Sequence, residues 1–349
     1  MTQTELYFLR LVQCGVGCRD IEPPKVDVDW RGVYELSVEH GVLCICLDAI
    51  GQLPLEKKPS EQLLMDWIAS VLHWELLYEK HKKLLRALCG SVKDVRVLLL
   101  KGIGLSVYYP VPKHRPTGDI DIYSYGCHEA IDNFWLQMGL KPMQMVEKHS
   151  VVTIGEVTIE NHSLYVDAFA TKAERRLQAY LETLNDDVLT EDGYYVPSPV
   201  KNYLFLLSHM ARHFSEYQSV TLRHILDWGL FLKGEYDNLM EQQSLISEKL
   251  EEFGLTRCND VFTAIAEDVV CMDFGSLIKA EVLQTDKDRI MNDIFMRKTN
   301  MEPKGLLPRV WHKMRRLYDN WWKYKYLPFS FWERVWFSVR LHWKNMDMI

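Results

Sequence analysis

Two aspartates at alternate positions, Asp119 and Asp121, are the residues of this chain best suited to chemistry. They begin the segment 119–123, which alternates polar and apolar residues as a half-buried strand does. Residues two apart project from the same face of a strand, so both carboxylates should lie together while Ile120 and Ile122 enter the core. Two adjacent carboxylates repel each other unless a cation neutralises them.

Mg²⁺ suits such a pair because it prefers hard oxygen ligands and shares them with substrate phosphates. Two ions about 3.5–4 Å apart can stabilise both the attacking and the leaving oxygen in phosphoryl or nucleotidyl transfer. Mn²⁺ accepts the same ligand types. An Asp-x-Asp pair alone is more often a solvated strand face, so the surrounding elements decide between the two interpretations.

The elements before the pair have the order strand, glycine-containing turn and short helix. Residues 95–100 are an apolar run suited to a buried strand, Lys101 and Gly102 interrupt it, and residues 105–109 suggest a short helix. The backbone N–H groups of Lys101 and Gly102 could hold triphosphate oxygens at the start of that helix. A proline-containing loop then leads to the aspartates.

The remaining chain predicts an α+β protein. Residues 1–90 read as several short helices and one long helix from about 60 to 88, residues 91–198 as the catalytic core, and residues 199–349 as a helical domain. Alternation on both sides of Gly155 predicts a hairpin. Residues 286–309 are polar and poorly periodic, which indicates a loop or linker.

One family combines these motifs. The run Leu-Leu-Leu-Lys-Gly-Ile-Gly ending at Gly104, the segment Gly-Asp-Ile-Asp-Ile-Tyr ending at Tyr123, and the later HMARHF and LRHILDW segments resemble the uncharacterised nucleotidyltransferase family of the polymerase-β-like superfamily. The resemblance implies a small mixed sheet flanked by an N-terminal helical region and a C-terminal helical domain that closes a cleft. It also implies transfer of a nucleoside monophosphate from a nucleoside triphosphate to an acceptor hydroxyl, with release of pyrophosphate.

The same resemblance requires a third carboxylate on a neighbouring strand, as a metal ligand and as a possible base. Glu160 shares its predicted strand face with His162, and this pair is similar to the corresponding strand of the family. Asp167 is the runner-up. His162 could orient a ligand, although a single strand histidine is more often only hydrogen-bonded.

Basic and imidazole side chains are the candidates for nucleotide binding. The resemblance suggests that His209, His213, Arg223 and Asp227 line the cleft from the helical domain, and an ion-paired contact between helices is the alternative. Arg115 in the proline-containing loop is either a contact to phosphate or base or simply an exposed cation.

Composition excludes several other classes. The chain has 349 residues, 48% hydrophobic and 26% charged, as expected for two or three folded domains. A net charge of −7 argues against a surface that binds nucleic acid throughout. Eight scattered cysteines and apolar runs too short to span a bilayer favour a reducing cytoplasm, with Cys44 and Cys46 as buried thiols.

The tail, residues 310–344, combines tryptophans with lysines and arginines. It could pack on the helical domain, stack on single-stranded nucleic acid, or contact a partner or an anionic membrane surface. Two alternatives to catalysis therefore stay open: a non-catalytic nucleotide-binding regulatory module, and a membrane- or nucleic-acid-binding protein that acts through this tail. The acceptor, whether a small molecule, an RNA end or a protein, has no signature in the sequence.

Overall fold

The computed structural model describes residues 1–92, 94–145, 149–166, 171–215, 220–296, 311, 315 and 318–336. Within these residues, helices surround a seven-stranded mixed sheet, which confirms the predicted α+β class.

The N-terminal region consists of helices, as predicted. They are α1 (Gln3–Gly15), α2 (Trp30–Glu39), α3 (Leu43–Gly51) and the long α4 (Glu61–Ser91). Thr2 and Glu5 form a capping box that satisfies backbone N–H groups at the start of α1. Cys44 and Cys46 are buried thiols inside α3, which confirms their predicted state.

The sheet occupies the middle of the chain. Its strands are β1 (Leu98–Leu99), β2 (Asp119–Tyr123), β3 (Met143–Met145), β4 (His149–Ile154), β5 (Val157–His162), β6 (Val188–Leu189) and β7 (Tyr195–Val196), in the spatial order β3-β4-β5-β2-β1-β7-β6. The helices between them are α5 (Ile103–Ser106), α6 (His128–Gln137) and α7 (Lys172–Thr183).

Strand register determines which side chains meet. β2 pairs with β5 in parallel, and Asp121 lies opposite Glu160. The predicted hairpin at Gly155 is present, since β4 and β5 pair antiparallel and Gly155 has a φ of +63°. This turn places His149 opposite His162. The two aspartates of β2, Glu160 and His162 of β5, and His149 of β4 therefore share one face of the sheet.

The opposite face of the sheet is mainly apolar, apart from Ser150 and Asn161, which bond to Asp132 of α6. Ile120, Ile122 and Ile159 are almost completely buried and belong to one core with Leu85 of α4 and Trp135 of α6. Burying each such side chain contributes about 1.5–3 kcal/mol, so this face fixes β2 and β5 in place and leaves their carboxylates on the other side.

The C-terminal region is helical, with one difference from the sequence prediction. Its helices are α8 (Pro199–Ser215), α9 (Leu222–Glu241), α10 (Gln243–Glu252), α11 (Thr256–Val270) and α12 (Gln284–Phe295). The prediction of a loop or linker from residue 286 onward is wrong for residues 286–295, which belong to α12. Ile290 and Ile294 lie one turn apart and are buried together with Phe295, so three apolar residues are enough to anchor a helix that is mostly polar.

Helices from both ends of the chain pack together. Phe8 of α1 contacts Phe295 of α12 edge to face, with ring centroids 6.0 Å apart, and the Gln13 side chain donates to the carbonyl of Asp268 at 2.7 Å. The three-part division of the chain stays a prediction. No helix in the described ranges is both long enough and apolar enough to cross a membrane, and the cytoplasmic location also stays a prediction.

Part of the tail belongs to the core. Trp322 meets Phe214 of α8 with ring centroids 5.7 Å apart, and the fully buried Lys323 pairs with Asp293 at 2.6 Å. Trp321, Trp332 and Trp336 are exposed. Residues 297–310 and 337–349 lie outside the described residues, so contact of the tail with a partner or a membrane stays a prediction.

Candidate active site

Three carboxylates from β2 and β5 come together at the centre of the sheet. One oxygen each from Asp119, Asp121 and Glu160 lies within 4.8 Å of the others, as ligands of a shared cation would. The parallel register of the two strands causes this approach, because Asp121 and Glu160 are direct neighbours on the same face. Asp167, the alternative third carboxylate, lies outside the described residues.

Asp121 is the buried member of the cluster. Its Oδ1 accepts from the Lys101 Nζ and the His162 Nε2, each at 3.0 Å. Its Oδ2 is also buried and has no hydrogen-bond partner among the described residues. An unpartnered buried carboxylate oxygen is costly, and a metal ion is one group that would satisfy it. The donor set, all carboxylate oxygens, fits Mg²⁺ or Mn²⁺.

The carboxylates differ in their acidity. Burial raises the pKa of Asp119, and the neighbouring Asp121 adds to this rise. Burial would also raise the pKa of Asp121, but the Lys101 ammonium and His162 hold it below its usual range. The hydrogen bond from His162 lowers the pKa of Glu160. Asp121 and Glu160 are therefore ionised near neutral pH, whereas burial and the neighbouring carboxylates disfavour the charge of Asp119 more than Lys101 favours it.

Two histidines support Glu160 from the same sheet face. The His162 Nε2 lies 3.3 Å from the Glu160 Oε2, and the His149 Nε2 lies 3.8 Å from the same oxygen. His162 is predicted from the sequence as a possible orienting residue, whereas His149 is a site residue that the sequence did not predict. The Gly155 turn could have identified His149, because a tight hairpin at this position determines which residue lies opposite His162.

Gly102 lies where the sheet meets the cleft. Its φ of +65° is unfavourable for other residues, and a Cβ atom there would lie 3.2 Å from the Thr117 Cγ2 and 3.3 Å from the Asp119 carbonyl oxygen. Only glycine therefore fits without displacing the strand that carries Asp119. The adjacent Lys101 directs its ammonium to Asp121, and although burial lowers the pKa of Lys101, the two aspartates raise it overall.

Arg115 is buried, which rules out the alternative of an exposed cation, while its contact with a nucleotide stays a prediction. Its Nε and Nη2 donate to the two carboxylate oxygens of Asp227, each at 2.8 Å. The Tyr109 hydroxyl donates to the same carboxylate at 2.7 Å. The loop before β2 is thereby fastened to α9, and Arg223 of α9 donates to the carbonyl of Pro116 in that loop at 3.3 Å. These contacts form one wall of the cleft.

The predicted site residues line a common cleft. Those on the sheet side are Lys101, Gly102, Arg115, Asp119 and Asp121. Those on the helical side are His209, His213, Arg223 and Asp227. His224 is a further lining residue that the sequence analysis overlooked, because only the packing of α8 against α9 brings it to the other two histidines. Glu160 adjoins this cleft through its contact with the aspartates.

Comparison with known proteins gives the same assignment as the sequence motifs. Residues 26–270, more than two thirds of the chain, match the family described as uncharacterised nucleotidyltransferase. No curated protein and no solved structure matches the chain. The matched range contains the carboxylate cluster, Gly102 and the histidines of α8 and α9. The chain therefore belongs to the uncharacterised nucleotidyltransferase family.

Proposed function

We propose that this protein is a metal-dependent nucleotidyltransferase that moves a nucleoside monophosphate from a nucleoside triphosphate to an acceptor hydroxyl. The observation that supports this proposal is the cluster of Asp119, Asp121 and Glu160, in which a buried Oδ2 of Asp121 has no partner among the described residues. Family membership supports nucleotidyl transfer in general terms. The cleft beside the cluster supplies space for the triphosphate.

Asp119, Asp121 and Glu160 would hold the divalent ions, with Mg²⁺ as the first candidate. When bound, these ions neutralise phosphate charge and stabilise the attacking and leaving oxygens. Lys101 provides a second cation beside the cluster, and its ion pair with Asp121 keeps it close to the site before substrate binds.

The other residues that line the cleft contribute to nucleotide binding in different ways. Lys101 and Gly102 line the cleft, where their backbone N–H groups would hold phosphate oxygens. Arg223, His209 and His213 lie on the opposite wall, where they would contact the nucleotide. Arg115 acts through its ion pair with Asp227, which holds the loop before β2 against α9 and so keeps this wall in position.

The reaction is an in-line displacement at the α-phosphorus. The acceptor oxygen forms a bond to phosphorus, the bond between that phosphorus and the bridging oxygen breaks, and pyrophosphate leaves with the electron pair. The acceptor proton passes to a carboxylate, for which Glu160 is the candidate because it is ionised and partly exposed. Acceptor choice belongs to α8, α9 and the loop before β2, which form the walls of the cleft.

The test is incubation of the full chain with Mg²⁺ and each nucleoside triphosphate labelled at the α-phosphate, together with cell extract as a source of acceptors. Asp119→Asn, Asp121→Asn and Glu160→Gln should each lower label transfer by a factor of about 100 or more, as expected for loss of a catalytic electrostatic group. Asp192→Asn is the matched control, since Asp192 pairs with Arg86 and Lys82 away from the cleft.

Each outcome has a defined meaning. Label on an acceptor that depends on all three carboxylates but not on Asp192 supports the proposal. Tight metal-dependent nucleotide binding without transfer would favour the regulatory nucleotide-binding module. Transfer that survives Glu160→Gln would move the third ligand to Asp167, and no nucleotide binding at all would overturn the proposal.

A further inference from the structure

Three histidines from α8 and α9 converge on the side of the cleft opposite the carboxylates. One ring nitrogen each from His209, His213 and His224 lies within 4.8 Å of the others. His209 and His213 are four residues apart and so share one face of α8. His224 lies in the first turn of α9 and faces them, with its ring centroid 4.9 Å from that of His213.

The spacing of these nitrogens suits a metal ion. The Nε2 atoms of His209 and His213 are 3.1 Å apart. Nitrogens bound to a tetrahedral Zn²⁺ at about 2.0–2.1 Å lie roughly 3.3 Å from each other, so a small adjustment would accommodate the ion. Imidazole nitrogens prefer zinc and similar transition metals to Mg²⁺, so this site would bind a different ion from the one at the carboxylate site.

The surroundings of His224 determine whether its Nε2 can bind a metal. Its Nδ1 lies 2.9 Å from the Thr221 Oγ1 and 3.0 Å from the Thr221 backbone nitrogen. If Nδ1 carries the proton and donates it to Oγ1, the lone pair of Nε2 is free for a metal. In the structure the Thr221 backbone N–H donates to Nδ1, which places the proton of a neutral ring on Nε2. Zinc binding therefore requires the other tautomer, in which Nδ1 donates to the Thr221 hydroxyl and that hydroxyl is the outer partner of the site.

We propose that His209, His213 and His224 form a three-nitrogen Zn²⁺ site, distinct from the carboxylate site across the cleft. Its fourth ligand would be a water molecule or an oxygen of a molecule bound in the cleft, as in zinc sites with three protein ligands. The proposal does not depend on nucleotidyl transfer, since it rests only on the geometry of the histidines and Thr221. A metal ion here would give the helical wall a localised positive charge for an anionic ligand.

Equilibrium dialysis of the full chain against Zn²⁺, in a large excess of Mg²⁺ that occupies the carboxylates, tests the proposal by metal content alone. One zinc ion per chain is expected. His213→Gln and His224→Gln should each weaken Zn²⁺ binding by more than about 100-fold, beyond the effect of losing an outer partner. His73→Gln is the control, because His73 is an exposed histidine of α4.

A matched pair of variants at Thr221 separates the two states of His224. Thr221→Ser retains the hydroxyl and should retain Zn²⁺ affinity, whereas Thr221→Val should lower it by about 10-fold. Glu160→Gln tests the competing cluster of His149, Glu160 and His162. Loss of zinc in Glu160→Gln with full binding in His213→Gln would overturn the proposal.

X-ray absorption of the zinc-loaded wild-type chain provides evidence that does not require any variant to fold. A first shell at about 2.0–2.1 Å with outer-shell scattering from three imidazole rings is expected. A first shell without imidazole scattering, or no zinc retained in the presence of Mg²⁺, would overturn the assignment.

Discussion

The ion pair between Arg115 and Asp227 makes a strong prediction about stability. Asp227→Asn keeps the shape of the side chain but replaces one carboxylate oxygen with an amide that donates. The Arg115 Nη2, now 2.8 Å from an oxygen, would face another donor, and the guanidinium would stay buried without its counter-charge. The pair lies between the loop before β2 and α9, so the loss also loosens one wall of the cleft.

The expected loss of unfolding free energy follows from the burial of this ion pair. The side chains of Arg115 and Asp227 are only 6% and 10% exposed, so water screens the pair little. Removing one partner of a buried pair costs about 3–5 kcal/mol. The asparagine oxygen still accepts from the Arg115 Nε and from Tyr109, which places the expected loss of unfolding free energy near the lower end, about 3 kcal/mol.

Urea unfolding at pH 7 measures this loss, with Glu35→Gln as the control. Glu35 forms an ion pair with Arg31 at 3.5 Å, but these side chains are 45% and 68% exposed. Such pairs contribute about 0.5 kcal/mol or less. Replacing both Arg115 and Asp227 with apolar residues should be less destabilising than Asp227→Asn alone, because no unpaired charge stays buried. A loss below about 1 kcal/mol for Asp227→Asn would refute the reasoning.

Four further predictions concern the carboxylate site and the adjacent Gly102. Asp119→Asn should raise the unfolding free energy of the metal-free protein above the pH at which aspartate ionises, because burial raises the pKa of Asp119 and its charged form destabilises the fold. Asp121→Asn should lower that free energy, since Lys101 and His162 hold the pKa of Asp121 down. This loss should begin to shrink as the pH falls below about 4, the unfolded-state pKa, and should vanish only below the depressed pKa of the folded protein. Mg²⁺ at 100 times its dissociation constant should add about 2.7 kcal/mol to the unfolding free energy of the wild type. It should add nothing to that of the Asp119→Asn/Asp121→Asn double variant. Gly102→Ala should cost about 1–2 kcal/mol because its φ is positive and its Cβ would press on the Asp119 carbonyl.

Unfolding measured against pH in a metal-chelating buffer checks the first two of these predictions. Equal unfolding free energies for the two single variants at every pH would contradict the assignment of Asp119 as the repelled carboxylate and Asp121 as the paired one. A Mg²⁺ effect that is unchanged in the double variant would show that the ion binds elsewhere, and a fully stable Gly102→Ala would mean that the strand can move.

Local patterns predicted the central part of the site. Alternation in β2 placed Asp119 and Asp121 on one face and their isoleucines in the core, and the Gly155 turn predicted the hairpin that carries Glu160. These features depend on residues only a few positions apart in the chain, so local sequence patterns are enough to predict them. The long α4 was predicted for the same reason.

Contacts between distant segments could not be predicted in this way. Arg115 and Asp227 are 112 residues apart, so no local pattern shows that the arginine is buried against α9. His224 joins His209 and His213 only through the packing of two helices. α12 was overlooked because its buried face has few apolar residues among many charged ones, and it is stabilised by tertiary contacts more than by its own periodicity.

The fate of the three phosphates tests nucleotidyl transfer most directly. The full chain is incubated with Mg²⁺, acceptor extract and a nucleoside triphosphate that carries one label at the α-phosphate and another at the γ-phosphate. We predict that the α-label appears on the acceptor while the γ-label leaves in pyrophosphate, in equal amounts, and that neither occurs in the Asp119→Asn/Asp121→Asn variant. Transfer of the γ-label to the acceptor, or release of the γ-label as free phosphate, would contradict the account.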